Sequence, residues 1–292
     1  MPDAPKHLAI ILIATAIALG LAWLADDGSR TLAGLPLLPA LALLALGVQW
    51  AVFVPSYLSQ SEHYFDLTGS LTYLTVIWIA AGTRLAEGMD TRTLLLAVLV
   101  SAWAGRLGLF LFRRIRASGK DGRFDEIKTK PLRFAMTWTL QGLWVVLTLY
   151  AALIAISQAG SKPFGALAAL GLAVWIAGFV IEAVADGQKS AFNATPENKN
   201  RFVDVGLWRW SRHPNYFGEI TLWTGIALIA TPTFAGWQWL GWLSPLFVAF
   251  LLIRVSGIPM LEERADEKWG GQEDYEAYKA RTPVLIPRPP KD

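Results

Sequence analysis

Apolar runs of about 17 to 25 residues recur along the chain between short polar segments, each long enough to cross roughly 30 Å of hydrocarbon as a helix. The first, Leu8 to Ala25, follows Lys6 and closes on Asp26 and Asp27. It exceeds a usual signal-peptide core and ends in two acids rather than a small-x-small cleavage site, which predicts a retained helix. The second, about Leu35 to Leu58, carries Pro36, Pro39 and Pro55, which mark ends or kinks. Ser70 to Ala86 and Thr93 to Phe112 have only Glu87 to Arg92 between them and therefore form an antiparallel helical hairpin. After a polar loop, Arg113 to Arg133, come Phe134 to Ser157 and Phe164 to Ala185. A second polar loop, Asp186 to Tyr216, leads into Phe217 to Thr231, and a last run, Trp237 to Met260, precedes a charged tail. The pattern predicts an all-α, polytopic membrane helix bundle over residues 1–260, with eight spans, or seven as the alternative. Residues 261–292 form a tail that packs back on the bundle as a flap or lies at its surface as an interfacial helix.

Charge orients this bundle. With the N-terminus in the cytoplasm, the cytoplasmic segments hold twenty Lys and Arg residues, eight of them in Arg113 to Arg133, and the outer loops hold three. Both termini and both polar loops are therefore expected in the cytoplasm, where basic residues accumulate.

Composition narrows the chemistry. Of 292 residues 54% are hydrophobic and 17% charged, so the usual one-domain-per-length expectation for soluble chains does not apply. The net charge of +3 is modest and forms no basic stripe, which argues against nucleic acid as a partner. Without cysteine there are no disulfides, thiolate metal sites or cysteine nucleophile, and His7, His63 and His213 are too far apart in sequence to suggest a zinc or haem site. No two glycines are separated by a single residue, which removes the Rossmann fingerprint and the kinase glycine loop, and there is no Gly-x-Ser-x-Gly elbow.

Charged residues inside a bilayer are costly and draw attention to function. Arg106 lies about two turns from the cytoplasmic end of its run, too deep to snorkel easily, whereas Arg84 sits at the outer boundary and is expected to snorkel. Glu182 and Arg254 lie near cytoplasmic helix ends, where they meet each other or a ligand. Gly105, Gly108, Gly171 and Gly178 are expected to be helix-packing positions.

The polar stretch Gly206-Leu-Trp-Arg-Trp-Ser-Arg-His-Pro-Asn-Tyr-Phe-Gly-Glu stands where the second basic loop enters an apolar helix. Arg209, Arg212 and His213 supply donors, Pro214 bars a helix from continuing through, and Gly218 permits close approach to the backbone. Asn215 and Glu219 share a face if the helix starts at the Pro-Asn turn. Such a stretch suits an anionic ligand; a Trp-Arg collar at the membrane interface is the alternative.

Ser211 to Glu219, the Trp223 of Leu-Trp-Thr-Gly, and the closing Tyr-x-x-Tyr-x-x-Arg-x-Pro with Ile286-Pro287 resemble the steroid 5-alpha-reductase-like superfamily of membrane enzymes. Asp66-Leu-Thr-Gly-Ser, Asp121-Gly-Arg-Phe-Asp and Ala185-Asp-Gly-Gln-Lys are similar to that superfamily's bacterial branch of unknown function, which implies a bacterial inner membrane. Arg-His-Pro-x-Tyr-x-Gly is shared with sterol reductases and isoprenylcysteine methyltransferases. The resemblance implies NADPH as cofactor, held by Arg106, Arg114, Asp186, Arg212, His213, Asn215, Tyr216, Gly218, Glu219, Arg254 and Tyr278. It further implies reduction of a conjugated carbon–carbon double bond in a lipophilic, steroid-like or isoprenoid enone, with membrane lipids as surroundings. The family's substrate-binding Gln-Glu pair and tyrosine do not align here. Tyr73, Glu62 and Asp66 are the nearest candidates to donate a hydrogen bond to the enone oxygen, Asp66 being equally suited to cap the third helix. The alternative activity is S-adenosylmethionine-dependent methyl transfer to a lipid or prenyl acceptor, for which a monocationic cofactor makes little use of so many arginines.

Overall fold

The computed structural model describes residues 3–118, 122–160 and 162–290. It is an all-α polytopic membrane protein: among the described residues seven helices are long and apolar enough to span a bilayer. The segment expected as a further span is the 17-residue helix α7, Pro214–Ala230. At 1.5 Å per residue it reaches about 25 Å, short of the hydrocarbon thickness. The chain divides into two compact units, one of residues 1–165 and 230–243, the other of 166–229 and 244–292.

The first unit begins with helices α1 (Ala4–Ala25) and α2 (Leu37–Leu58), joined through a two-stranded hairpin, β1 (Thr31–Leu32) and β2 (Leu35–Pro36). Helices α3 (Phe65–Gly82), α4 (Thr91–Ser118) and α5 (Pro131–Ser157) follow. Helix α5 is apolar on every side and nearly every residue from Leu143 to Ser157 is buried, so it forms this unit's core. Helix α1 presents it a small-residue stripe, Ala14, Ala18, Ala22 and Ala25, and Tyr150 Oη donates to the Leu21 carbonyl at 2.5 Å. Two polar pairs tie helices together inside the unit: Gln49 Nε2 donates to Thr72 Oγ1 at 2.8 Å and Trp50 Nε1 to Thr139 Oγ1 at 2.9 Å. Pro36 stands just before α2 and Pro55 lies inside its last turn, so these prolines bracket the helix.

Two sequence expectations are corrected in this unit. Arg84 does not snorkel. It is 3% exposed, pairs with Asp90 at 3.0 Å, and donates to the carbonyls of Ile156, Gln158 and Gly160. Ile156 and the cap residue Gln158 stand at the end of α5, whose last carbonyls lack intrahelical donors and carry the negative end of the helix dipole, and Gly160 follows just beyond. Arg92 does the same for the carbonyls of Lys162 (2.8 Å) and Pro163 (2.9 Å). Asp66 is not the cap of α3, because the helix starts at Phe65 after Tyr64; Asp66 occupies its first turn, where a carboxylate favours the positive helix end.

The second unit opens with α6, Ala166–Ala194. The polar loop expected from Asp186 begins only beyond Ala194, because the buried stripe Gly171, Trp175, Gly178, Glu182, Ala185 and Asp186 keeps helical spacing past the end of the apolar run. Helices α6 and α7 touch at two glycine pairs. A Cβ on Gly225 would stand 2.6 Å from the Gly171 carbonyl, and one on Gly218 would stand 2.6 Å from the Glu182 amide nitrogen. After α8 (Leu243–Phe250), a π-helical segment Leu251–Val255 leads to α9 (Ile258–Trp269) and α10 (Glu273–Arg281). Membership in this unit turns the charged tail into two helices and a strap.

Candidate functional site

The signature stretch is held from both sides within the second unit. On one side stands the C-terminal extension of α6. Gly206 takes φ +56°, a conformation open to glycine, and Gln188 Oε1 accepts from the Leu207 amide at 2.8 Å. Trp208 is buried, donates from Nε1 to the Ala185 carbonyl at 3.0 Å, and carries the Lys189 ammonium 4.8 Å over its ring. On the other side lies the tail. Tyr278 Oη donates to the Trp208 carbonyl at 2.8 Å, the Arg212 amide to the Pro283 carbonyl at 2.9 Å, and the Arg288 amide to the Trp210 carbonyl at 2.9 Å. Ser211 Oγ donates to the Leu285 carbonyl at 2.8 Å and accepts from the His213 amide at 3.1 Å. A proline at the first position of α7 then starts the next helix, as its missing amide proton allows.

At the centre of this arrangement is a carboxylate. Glu262 Oε1 lies 2.6 Å from His213 Nε2, and its Oε2 lies 3.0 Å from Arg212 Nη2. The His213 ring stacks on Tyr216 with centroids 5.6 Å apart and planes 9° apart. Burial pulls the His213 imidazole below its ordinary 6.5, although the Glu262 hydrogen bond acts in the opposite sense. A neutral ring donating Nε2–H to the carboxylate accounts for both, and its buried Nδ1, with no hydrogen-bond partner among the described residues, disfavours a second proton. Burial also pushes the Tyr275 phenol up to about 12 and raises Tyr278, so both remain neutral.

Beside this network opens a cavity of about 550 Å³, within the roughly 300–1,000 Å³ common for ligand sites. Its basic walls come from Lys189 of α6, Lys199 and Arg201 of the loop after it, Arg212, and Arg264 and Lys268 of α9. Glu262 is the one acidic residue among those lining it. Phe202, Trp208, Trp269, Tyr275 and Tyr278 add aromatic surface, and Lys268 sits 4.7 Å over the Trp269 ring. Six cations around one already engaged carboxylate give the cavity walls a net positive charge.

Of the residues singled out from sequence, Arg212, His213 and Tyr278 line this cavity. Asp186 and Asn215 are joined to each other, Asn215 Nδ2 donating to Asp186 Oδ1 at 3.2 Å. Tyr216 reaches the network through His213, and Glu219 is buried on α7 one turn beyond Asn215. Gly218 faces α6, whose backbone occupies the space a side chain would take. Glu182 is buried and Arg254 exposed on the π-helical segment. In the first unit, Arg106 is half-buried on α4, and the side chain of Arg114 lies outside the described residues. Tyr73 is buried on α3 with its ring 5.1 Å from Trp103. Glu62 is buried and bound by Lys128 at 2.7 Å. Sequence reasoning missed Lys189, Lys199, Arg201, Glu262, Arg264 and Lys268. Helical spacing carried past Asp186 would have flagged Lys189, and Arg264 and Lys268 stand four apart on one helix face.

The family described as "Protein of unknown function (DUF1295)" matches residues 52–282. The chain is also similar to "Uncharacterized protein C594.04c" of Schizosaccharomyces pombe (strain 972 / ATCC 24843), at 24% identity over 234 residues, 70% of this chain and 67% of that protein. No solved structure matches.

Proposed function

On the premise that this chain belongs to the DUF1295 family, we propose that it is a membrane reductase that uses NADPH to reduce a conjugated carbon–carbon double bond in a lipophilic enone. The observation that carries this reading is the cationic cavity built around Arg212 and His213 of the signature stretch. The donor set suits the cofactor: a dinucleotide with three phosphate groups calls for several cations, and arginine forks match phosphate oxygens in a way a lone ammonium does not. Arg212, Arg264, Lys189 and Lys268 would take phosphate oxygens, and the aromatic surface of Trp208 and Trp269 would take flat ring faces. When bound, NADPH supplies the hydride that reaches the β carbon of the enone. A monocationic methyl-donor cofactor would meet six like charges in the same cavity, which weighs against methyl transfer.

The test is ligand-dependent thermal stabilisation of the purified chain in detergent. NADPH should stabilise more than NADH, the gain should shrink as salt rises, and Arg212→Ala should weaken it by about tenfold in affinity. Equal effects of NADPH and NADH would remove the argument from the extra phosphate, and stabilisation by S-adenosylmethionine alone would replace this reading with the methyltransferase.

A further inference from the structure

We propose that Glu262 is the positioning residue of the cationic cavity: its carboxylate holds Arg212 and His213 side by side and thereby presents Arg212, already oriented, to a phosphate group. The inference rests on the reading above for the identity of the ligand, and on geometry alone for the existence of an anion site.

Glu262 is not placed as a diffuse counter-ion. Each oxygen has its own partner, Oε1 at 2.6 Å from His213 Nε2 and Oε2 at 3.0 Å from Arg212 Nη2. His213 is itself braced, stacked on Tyr216 and tied through its amide to Ser211 Oγ, so the carboxylate hangs from a fixed point. The Arg212 backbone is fixed too, its amide donating to the Pro283 carbonyl at 2.9 Å, but the buried Nε of its side chain has no hydrogen-bond partner among the described residues. The Glu262 contact is therefore what restricts the guanidinium before any ligand arrives, and ordering a long side chain in advance lowers the entropy lost on binding.

Two roles for Glu262 predict opposite signs. As a mere counter-charge, its replacement by Gln would leave the cavity more positive and tighten anion binding. As a positioning group, the replacement weakens binding despite the added positive charge, because an amide offers one acceptor oxygen where two donors each need one. The experiment measures binding of NADPH and of inorganic pyrophosphate to the full chain and to Glu262→Gln, by calorimetry and thermal shift. Positioning predicts about tenfold weaker binding of both probes, and the effect should vanish in an Arg212→Ala background, since Glu262 acts through Arg212. Unchanged or tighter binding by Glu262→Gln overturns the inference, as does an equal loss in the Arg212→Ala background. Should Glu262→Gln not fold, Glu262→Asp keeps the charge on a stem one methylene shorter and is expected to weaken binding too; parental affinity in that variant overturns the inference. A parent that binds pyrophosphate but not NADPH overturns the cofactor assignment while supporting the anion site if the Glu262 effect is present. A parent that binds neither overturns both.

Discussion

Gly218→Ala separates two roles for the signature glycine. From the sequence, Gly218 reads as a place where a ligand approaches the backbone; in the structure, that space belongs to α6. The added Cβ would lie 2.6 Å from the Glu182 amide nitrogen, 2.7 Å from the Gly178 carbonyl and 2.9 Å from the Glu182 Cβ. Two of these three neighbours are backbone atoms, which cannot rotate aside, so the helices must separate. Overpacking of this kind costs roughly 1–3 kcal/mol, and a clash against backbone belongs at the upper end, about 3 kcal/mol. The ligand-free protein in detergent should therefore melt on the order of 5 °C or more below the parent. Gly105→Ala is the internal control: nothing lies within 4 Å of its added Cβ, and in a helix Ala is favoured over Gly by roughly 0.5–1 kcal/mol. Differential scanning fluorimetry of both variants without ligand reads the difference. If Gly218→Ala melts with the parent and loses only its NADPH-dependent stabilisation, the glycine serves the ligand and the packing argument fails.

Other consequences are tested more briefly. Asn215→Ala and Glu219→Gln should fold as the parent does and lower NADPH-dependent enone reduction about tenfold, equivalent to about 1.4 kcal/mol in the barrier; parental turnover in both would reduce the stretch to an interface collar. His213 is held below its ordinary 6.5 in the fold, so the unfolded chain takes up this proton first as pH falls. Stability from His213 should be complete above 6.5 and decline as pH drops toward the depressed value, a slope that His213→Asn should flatten in a melting series across pH. Reporter fusions after Asp27, Lys120, Lys162 and Lys199 should alternate in sidedness, with Lys120 and Lys199 cytoplasmic; an exported Lys120 fusion would overturn the charge-based topology.

Hydrophobic patterning is enough to establish an all-α membrane protein and approximately where its spans run. Length and apolarity of a segment are local properties, and a bilayer forces each such segment to satisfy its own backbone as a helix. It also marked the 206–219 stretch, because Arg, His, Pro and Asn entering an apolar helix break a local pattern. The interior basic residues were visible too, but their roles were not: Arg84 turned inward because the carbonyls at the end of α5, more than seventy residues away, needed donors. The extension of α6 past Asp186 is packed against Leu207 and Trp208 of the signature stretch, which local spacing does not reveal. The cavity is the clearest case. Its cations come from α6, the following loop, the signature stretch and α9, and the carboxylate that organises Arg212 and His213 stands 49 residues from His213. Nothing in the spacing of those residues announces the pairing; it exists because the tail returns to the Trp208–Arg212 backbone and closes hydrogen bonds there that no local segment could supply.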